Sequence, residues 1–485
     1  MTGRPASRYL ANSVLAFATL AEVLLPFLRN VALARLLDPH NFGLAVTFSV
    51  VWGILEQVTD IGIVFSAMRH PGAAHPDRYY ATLHSLAVLR ASFLFIVLTA
   101  LSPLCAWVFA APEAVWAYAG LGIAASIRGF INLGIREAMR SYQYWREGTA
   151  VFLSQLFWTV LTVVAAWWLE DFNAALVGII GNAICYVVLT HLLSPRRMRF
   201  GWDRGLVAEN LTYGRPLMFN GMSNAFTQLA DRFVVGMTLG VVQLGIYNVT
   251  LATAILPRNA ITKFLNTLYM PGFVNLDAGR ARDVRLFETW VLNLGLLGFA
   301  YGIALISIGP VVIGGIFGPA FRPTPLIMGL VAILLCTKFL IQLPVPSALA
   351  YGQTRLIFYG NAASAVGVLC SIGVLLLTRD LEHFILALTV ADFAALCLIA
   401  SLSISRYGSV PWLLWTYVLL PNLVLAGLLA LQLTVSFTLP AWIAVSWSVG
   451  AAVIMLLVAI SYAGGWRPDV ISVLRRAEKA EAEAA

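Results

Sequence analysis

The stretch from Ala34 to Phe48, "ARLLDPHNFGLAVTF", sets a polar turn between two apolar runs of membrane-spanning length: Asp38, Pro39, His40, Asn41 and Gly43. A similar turn returns about 202 residues later in "MTLGVVQLGIYNVTL", Met237 to Leu251, where Leu37 falls on Leu239, Phe42 on Leu244, Gly43 on Gly245 and Leu44 on Ile246 without a gap. Glycine at the shared position suits a chain that bends tightly. The shift spans six apolar segments, so the two halves are expected to run parallel in topology, related by an axis along the membrane normal. On this reading the turn is the outer bend of a helical hairpin, used once in each half; chance similarity between two apolar stretches is the competing reading.

The 485 residues are 60% hydrophobic and 11% charged, with a mean hydropathy of +0.84. Apolar segments at roughly 10–32, 42–66, 80–108, 114–135, 148–169, 172–194, 215–238, 243–268, 289–316, 324–343, 353–378, 382–404, 411–434 and 440–462 predict an all-α polytopic membrane protein of about fourteen helices. The opening "MTGRPASRYLANSVLAFATL" reads as a retained first helix: its apolar run continues to Glu22 and Arg29 without an Ala-x-Ala cleavage site. With both termini inside, connectors such as "REAMRSYQYWRE" and "PRRMRFGWDRG" put about 20 Lys and Arg on the inner side, against Arg35, Arg322 and Arg379 outside. The net charge of +8 is then orientation in a bacterial inner membrane, with no nucleic-acid partner. Two inner stretches, "RRMRFGWDRGLVAENL" and the tail "RPDVISVLRRAEKAEAEAA", mix cations with apolar residues as interfacial helices do, although plain connectors fit them too. The five cysteines lack CxxC or Cys/His spacing, so no metal site, cofactor or disulfide framework is expected. Outer loops are too short for an extracytoplasmic catalytic domain.

"NVALARLLDPHNFGLAVTF" with "DIGIVFSAMRHP", then "QLADRFVVGMTLGVVQLGIYNVTLATAILP" with "LYMPGF", then "IFGPAFRPTPLIMGLVAILL" together resemble the polysaccharide-transport branch of the superfamily of multidrug extruders and lipid-linked oligosaccharide flippases. The resemblance covers the first hairpin, the seventh and eighth helices and the start of the tenth. It implies two six-helix lobes around a cavity, at 1–200 and 201–405, with two further helices and a tail over 406–485. It also implies a flippase, not an enzyme, that moves an undecaprenyl-diphosphate-linked oligosaccharide across the bilayer for O-antigen or exopolysaccharide synthesis, beside a polymerase and other assembly proteins.

An ionisable group at membrane depth costs about 2.5–3.5 kcal/mol on insertion scales, so each one needs a partner or a wet cavity. Arg258, Lys263, Arg90, Arg128 and Lys338 sit in the middle or inner half of their segments and suit capture of a diphosphate, since Arg offers forked, permanently charged donors. Arg29, nearer the outer turn, joins them as the cation of the first helix. Glu22, Glu56 and Asp60 are expected to line or gate the cavity, Glu56 and Asp60 one helical turn apart, as is a polar stripe of Asn220, Asn224 and Gln228 leading to Asp231 and Arg232. Asp392 and Asp60 are the candidates for ion coupling. The repeat sets Glu22 against Asn224, Arg29 against Asp231 and Glu56 against Arg258, which is equal depth with unequal charge. The alternative is that these acids and bases only hold the bundle together. Trp52, Trp158, Trp167, Trp168 and Trp290 offer faces for sugars but equally suit the interfacial belt. No Ser/His/Asp constellation appears. A lipid II flippase or a multidrug antiporter of the same superfamily, and a membrane glycosyltransferase or polymerase acting on the lipid carrier, are the competing functions.

Overall fold

The computed structural model describes residues 22–69, 76–140, 143–274, 280–342, 345, 354–407 and 411–434. Each of the first thirteen apolar segments overlaps a described helix, while residues 10–21 of the first and the whole of 440–462 lie outside the described residues. In chain order these are α1 (22–36), α2 (Pro39–Val58), α3 (Ile63–Arg69), α4 (Pro76–Val108), α5 (Val115–Arg128), α6 (Gly134–Arg140), α7 (Tyr144–Leu169) and α8 (Asn173–Leu193). They continue as α9 (Arg204–Leu239), α10 (Val241–Val274), α11 (Arg280–Phe317), α12 (Pro325–Leu340), α13 (Thr354–Thr378), α14 (Leu381–Tyr407) and α15 (Pro411–Thr434). Seven of the described helices are long and apolar enough to cross a bilayer by themselves. On α7, exposed Trp145 and exposed Trp167 and Trp168 are separated by about 33 Å at 1.5 Å per residue, close to a bilayer's apolar thickness.

Two segments are shorter than hydropathy suggests. The second helix stops at Val58, and Gly62 at φ +68° turns the chain before α3 resumes. Asp60 therefore stands in a turn, its Oδ1 accepting the Gly62 N–H at 2.9 Å, and is not one helical turn from Glu56. Likewise α5 ends at Arg128, and the turn after it leads into α6. A hydropathy window averages across such breaks; a positive φ, which suits glycine, is what marks the first one.

The residues fall into two compact units, 1–253 with 313–322 and 372–381, and 254–312 with 323–371 and 382–485. In the first unit the recurring turn is the organising contact. Asp38 caps α2, accepting from the His40 and Asn41 N–H groups at 2.8 and 3.1 Å, and Pro39 takes the first helical position. Arg35 reaches the last carbonyls of α11, donating to Ile316 O at 2.8 Å and to Gly315 O. A Cβ on Gly43 would collide with the Val241 carbonyl, and one on Gly245 would meet the Gly43 Cα at 3.6 Å. The two repeats thus touch at their equivalent glycines. Farther along, Gly221 and Gly214 of α9 face the Gln57 and Ile61 carbonyls so closely that neither admits a side chain. These are the small-residue contacts through which membrane helices approach each other. Behind them Phe48, Phe109 and Tyr118 are fully or almost fully buried, with the Phe48 and Tyr118 rings edge-to-face at 5.1 Å and the Tyr118 hydroxyl 2.7 Å from Thr47 Oγ1.

In the second unit α12 is almost entirely buried. It packs on α15, where Thr337 donates to Asn422 Oδ1 at 3.0 Å. Trp290, Phe339 and Phe384 are buried in the same unit, and Tyr301 donates to the Ala254 carbonyl at 2.7 Å.

Two outcomes follow from these contacts. Gly221→Ala, normally favourable by about 0.5–1 kcal/mol inside a helix, should instead lower thermal stability in detergent by about 1–3 kcal/mol through overpacking, whereas Gly373→Ala, with nothing within 4 Å, should not. Burial works against ionisation of Asp38, yet bonds from the Asn41 side chain and the Asn41 and His40 N–H groups hold its carboxyl below the usual range. A depressed folded-state value contributes stability above the unfolded pKa of about 3.9 and loses it as the pH falls through the folded value. Asp38→Ala should therefore cost about 1 kcal/mol near neutrality, and melting curves of variant and wild type should converge below about pH 4.

Candidate functional site

The cations of the first unit divide by what satisfies them. Arg90 is held by backbone: its Nε donates to the Thr59 carbonyl and its Nη2 to the Glu56 carbonyl, both at 2.8 Å, capping the open end of α2. Arg136, at the start of α6, pairs with Glu147 at 2.9 Å, and Tyr186 donates to the same carboxylate oxygen at 2.7 Å. Glu147 is only 6% exposed. Arg128 stands 3.4 Å from Glu56 and near the faces of Trp52 and Tyr186.

Arg29 and Arg232 are different. The Arg29 guanidinium carbon lies 3.6 Å from the centroid of Trp158, a cation–π contact. Its Nη1 is buried without a hydrogen-bond partner among the described residues, as is the Arg232 Nε. Arg29, Arg128 and Arg232 all line one cavity of about 350 Å³, together with Asn30, Asn182 and Asn248 and the rings of Trp52 and Trp158. No carboxylate is among the described residues that line it. Three forked cations from three helices, of which Arg128 also pairs with Glu56 outside the lining, and three amide side chains make a net cationic site for an anion. Its volume is in the range of small-molecule sites. Arg128 and Asn182 also line a neighbouring cavity with Glu22, Arg136, Glu147 and Tyr186, and Arg128 and Trp52 line a third with Glu56 and Arg90.

The expected site residues are thus split up. Arg29 and Arg128 come together, joined by Arg232, which the sequence presents only as the end of a polar stripe. Its neighbour Asp231 turns elsewhere, accepting from the Tyr247 hydroxyl at 2.9 Å. The repeat held the missing signal: a shift of 202 sets Asn30 on Arg232, one position from Arg29 on Asp231, so near-equivalent positions of the two halves each supply an arginine to the cavity, beside Arg128 of the first half. Asn224 links the Gln57 and Gln228 side chains and so ties α9 to α2, whereas Asn220 is exposed. Glu22 is also exposed. The Arg136–Glu147 pair was hidden because both residues flank what reads as a polar loop.

In the second unit Lys338 and Asp392, assigned to different roles by the sequence, form one ion pair at 2.7 Å, with Asp392 1% exposed. Arg258 donates to the Lys338 carbonyl at 3.3 Å, and its Nε has no hydrogen-bond partner among the described residues. This group carries two cations and one carboxylate. The Lys263 side chain lies outside the described residues.

The Arg136–Glu147 pair gives a direct test of structural against ligand-binding charge. Glu147→Leu alone leaves a buried, unpaired guanidinium and should cost about 3–5 kcal/mol of stability, while Arg136→Met with Glu147→Leu should recover most of it, measured by thermal unfolding in detergent.

The sequence profile of the polysaccharide biosynthesis protein family matches residues 32–324. Among curated proteins, the chain is 21% identical to the lipopolysaccharide biosynthesis protein WzxC of Escherichia coli K12 over 436 residues, 86% of this chain and 87% of that one. It is 22% identical to the amylovoran biosynthesis protein AmsL of Erwinia amylovora over 222 residues, 45% of this chain and 57% of AmsL's length. Among solved structures, the lipid II flippase MurJ in an inward closed conformation superposes with a TM-score of 0.69 over 94% of this chain and 99% of MurJ, at 13% identity. An inward-facing multidrug resistance MATE transporter gives 0.54 over 80% of this chain and 94% of its own, at 14% identity. The chain is a multi-pass membrane protein with the fold of these transporters, and it belongs to the polysaccharide biosynthesis protein family.

Proposed function

We propose that the protein is a flippase that moves a polyprenyl-diphosphate-linked oligosaccharide, carried on undecaprenol, from the inner to the outer leaflet by alternating access between two lobes. The observation that carries this reading is the cavity onto which Arg29, Arg128 and Arg232 converge without a carboxylate. A diphosphate brings about two negative charges and several acceptor oxygens, which match three guanidinium forks. The amides of Asn30, Asn182 and Asn248 suit sugar hydroxyls, and Trp52, with its ring on the cavity, offers a sugar an apolar face. A cationic drug would meet an excess of cations there, with Glu56 already engaged by Arg128, which argues against a multidrug antiporter. The family supports a polysaccharide precursor over lipid II as cargo.

The proposed orientation sets the basic connectors inside, so an inside-negative potential favours outward movement of an anionic headgroup by roughly 2.3 kcal/mol per charge per 100 mV. The emptied cationic cavity is drawn back by the same field. Arg258 with Lys338 and Asp392 then serves as a second, partly neutralised station in the other unit, with Asp392 the candidate for ion coupling.

Translocation of a fluorescent undecaprenyl-diphosphate oligosaccharide in proteoliposomes tests the reading. A charged hydrogen bond is worth about 1.5–3 kcal/mol, so Arg29→Gln and Arg232→Gln should each slow transport roughly tenfold to a hundredfold, and an imposed inside-negative potential should speed the wild type. Transport by the glutamine variants at the wild-type rate, or none by a folded wild type offered several oligosaccharides, would overturn it.

A further inference from the structure

The connector between α8 and α9, residues 194–203, does not project from the bundle. It lies across α4. His84, fully buried, accepts the Leu133 N–H at Nε2 (3.0 Å), so its Nδ1 carries the proton and faces the Arg199 carbonyl at 3.3 Å. The Gly201 N–H donates to Ser85 Oγ at 3.2 Å, and a Cβ on Gly201 would stand 3.1 Å from the Ala81 methyl. Arg196 grips Glu137 through two bonds at 2.8 and 2.9 Å and also meets Asp77, while Arg78 pairs with Asp203 at 2.8 Å. These contacts account for the strap's inward residues.

Its outward residues, and Arg204 at the start of α9, are left over. Arg197 and Arg204 are exposed and have no carboxylate within ion-pair distance among the described residues. The Arg199 side chain is 71% exposed and lies only 3.7 Å from Asp77, which Arg196 already holds. Arg197 and Arg199 line a cavity of about 530 Å³ with Asp77, Glu137 and Arg196, and next to them in the chain Phe200 and Trp202, 60% and 55% exposed, close one wall of a separate open groove of about 470 Å³ whose other wall is Val88 and Leu89 of α4. Leu89 begins a stripe of exposed apolar residues, Phe93, Ile96, Leu104 and Trp107, that follows α4 from its middle to its C-terminal end at helical spacing and marks its lipid-facing side. The groove therefore opens toward the acyl chains, next to a strap in which Arg199 shares Asp77 with Arg196 while Arg197 and, at the start of α9, Arg204 have no carboxylate within ion-pair distance among the described residues.

We propose that this strap is a seat for one anionic phospholipid of the bilayer: an acyl chain lies along Val88, Leu89, Phe200 and Trp202, and the phosphate rests on Arg199 with Arg197 and Arg204 beside it. Charge complementarity selects the occupant, because a zwitterionic lipid brings its own ammonium to the same cations. The seat is independent of the arginine cavity and of what the protein transports.

Native mass spectrometry of the full-length protein released from detergent with phosphatidylglycerol or phosphatidylcholine at equal concentration tests it. The wild type should retain phosphatidylglycerol at least about tenfold better. R197Q/R199Q/R204Q should lose that preference while keeping the wild-type melting temperature in the absence of added lipid, and Trp202→Ala should weaken retention of both lipids. Equal retention of the two lipids by the wild type, an unchanged preference in the triple variant, or displacement of phosphatidylglycerol by inorganic phosphate alone would overturn the proposal.

Discussion

A guanidinium at membrane depth has to be solvated by something, and what solvates each one sorts this molecule's charges into scaffold and site. Arg90 is solvated by the carbonyls that end α2. Arg136 has the Glu147 carboxylate, and Lys338 has Asp392. Arg29 and Arg232 have an incomplete set, with buried nitrogens unsatisfied beside a cavity that holds no acid among the described residues. Leaving a buried donor unmade costs about 1–3 kcal/mol, more when it is charged. The cost at Arg29 is partly offset by the Trp158 face. Such a site is unfavourable when empty and favourable around an anion, which is the energetic pattern a carrier needs at its cargo position.

That cavity depends on glycine. The arginines of α1 and α9 reach one space only because α2 sits close against both α9 and the start of α10, through Gly43, Gly214 and Gly221. In lipid no hydrophobic drive brings helices together, so close backbone approach and polar ties such as Gln57 to Asn224 have to do it. These contacts are made where the backbone of one helix faces a bare Cα of another, so they can be made or lost as a unit. The turn at Asp38 to Gly43 recurs at Gly240 to Gly245 because the two copies pack on each other.

Much of the fold was legible because hydropathy over membrane-length windows reads helices well, and because the repeat at Gly43 and Gly245 is carried by a steric requirement that survives when most side chains change. The breaks after Val58 and Arg128 were not legible, since a window average runs across both, and only the first is marked by a glycine at positive φ. The site was half legible. Arg29 and Arg128 are marked by their depth alone, but Arg232 follows an aspartate and reads as half of a neutral pair. On a helix consecutive residues point about 100° apart, and Asp231 goes to Tyr247 while Arg232 goes to the cavity. Depth likewise marked Lys338 and Asp392 without showing that they neutralise each other across two helices.

The most direct test of the account is a cryo-electron microscopy structure of the protein with an undecaprenyl-diphosphate oligosaccharide bound. The account predicts diphosphate density among Arg29, Arg128 and Arg232, with the first sugar near Trp52. Density for the diphosphate at Arg258 and Lys338 instead, with the arginine cavity of the first unit empty, would contradict it.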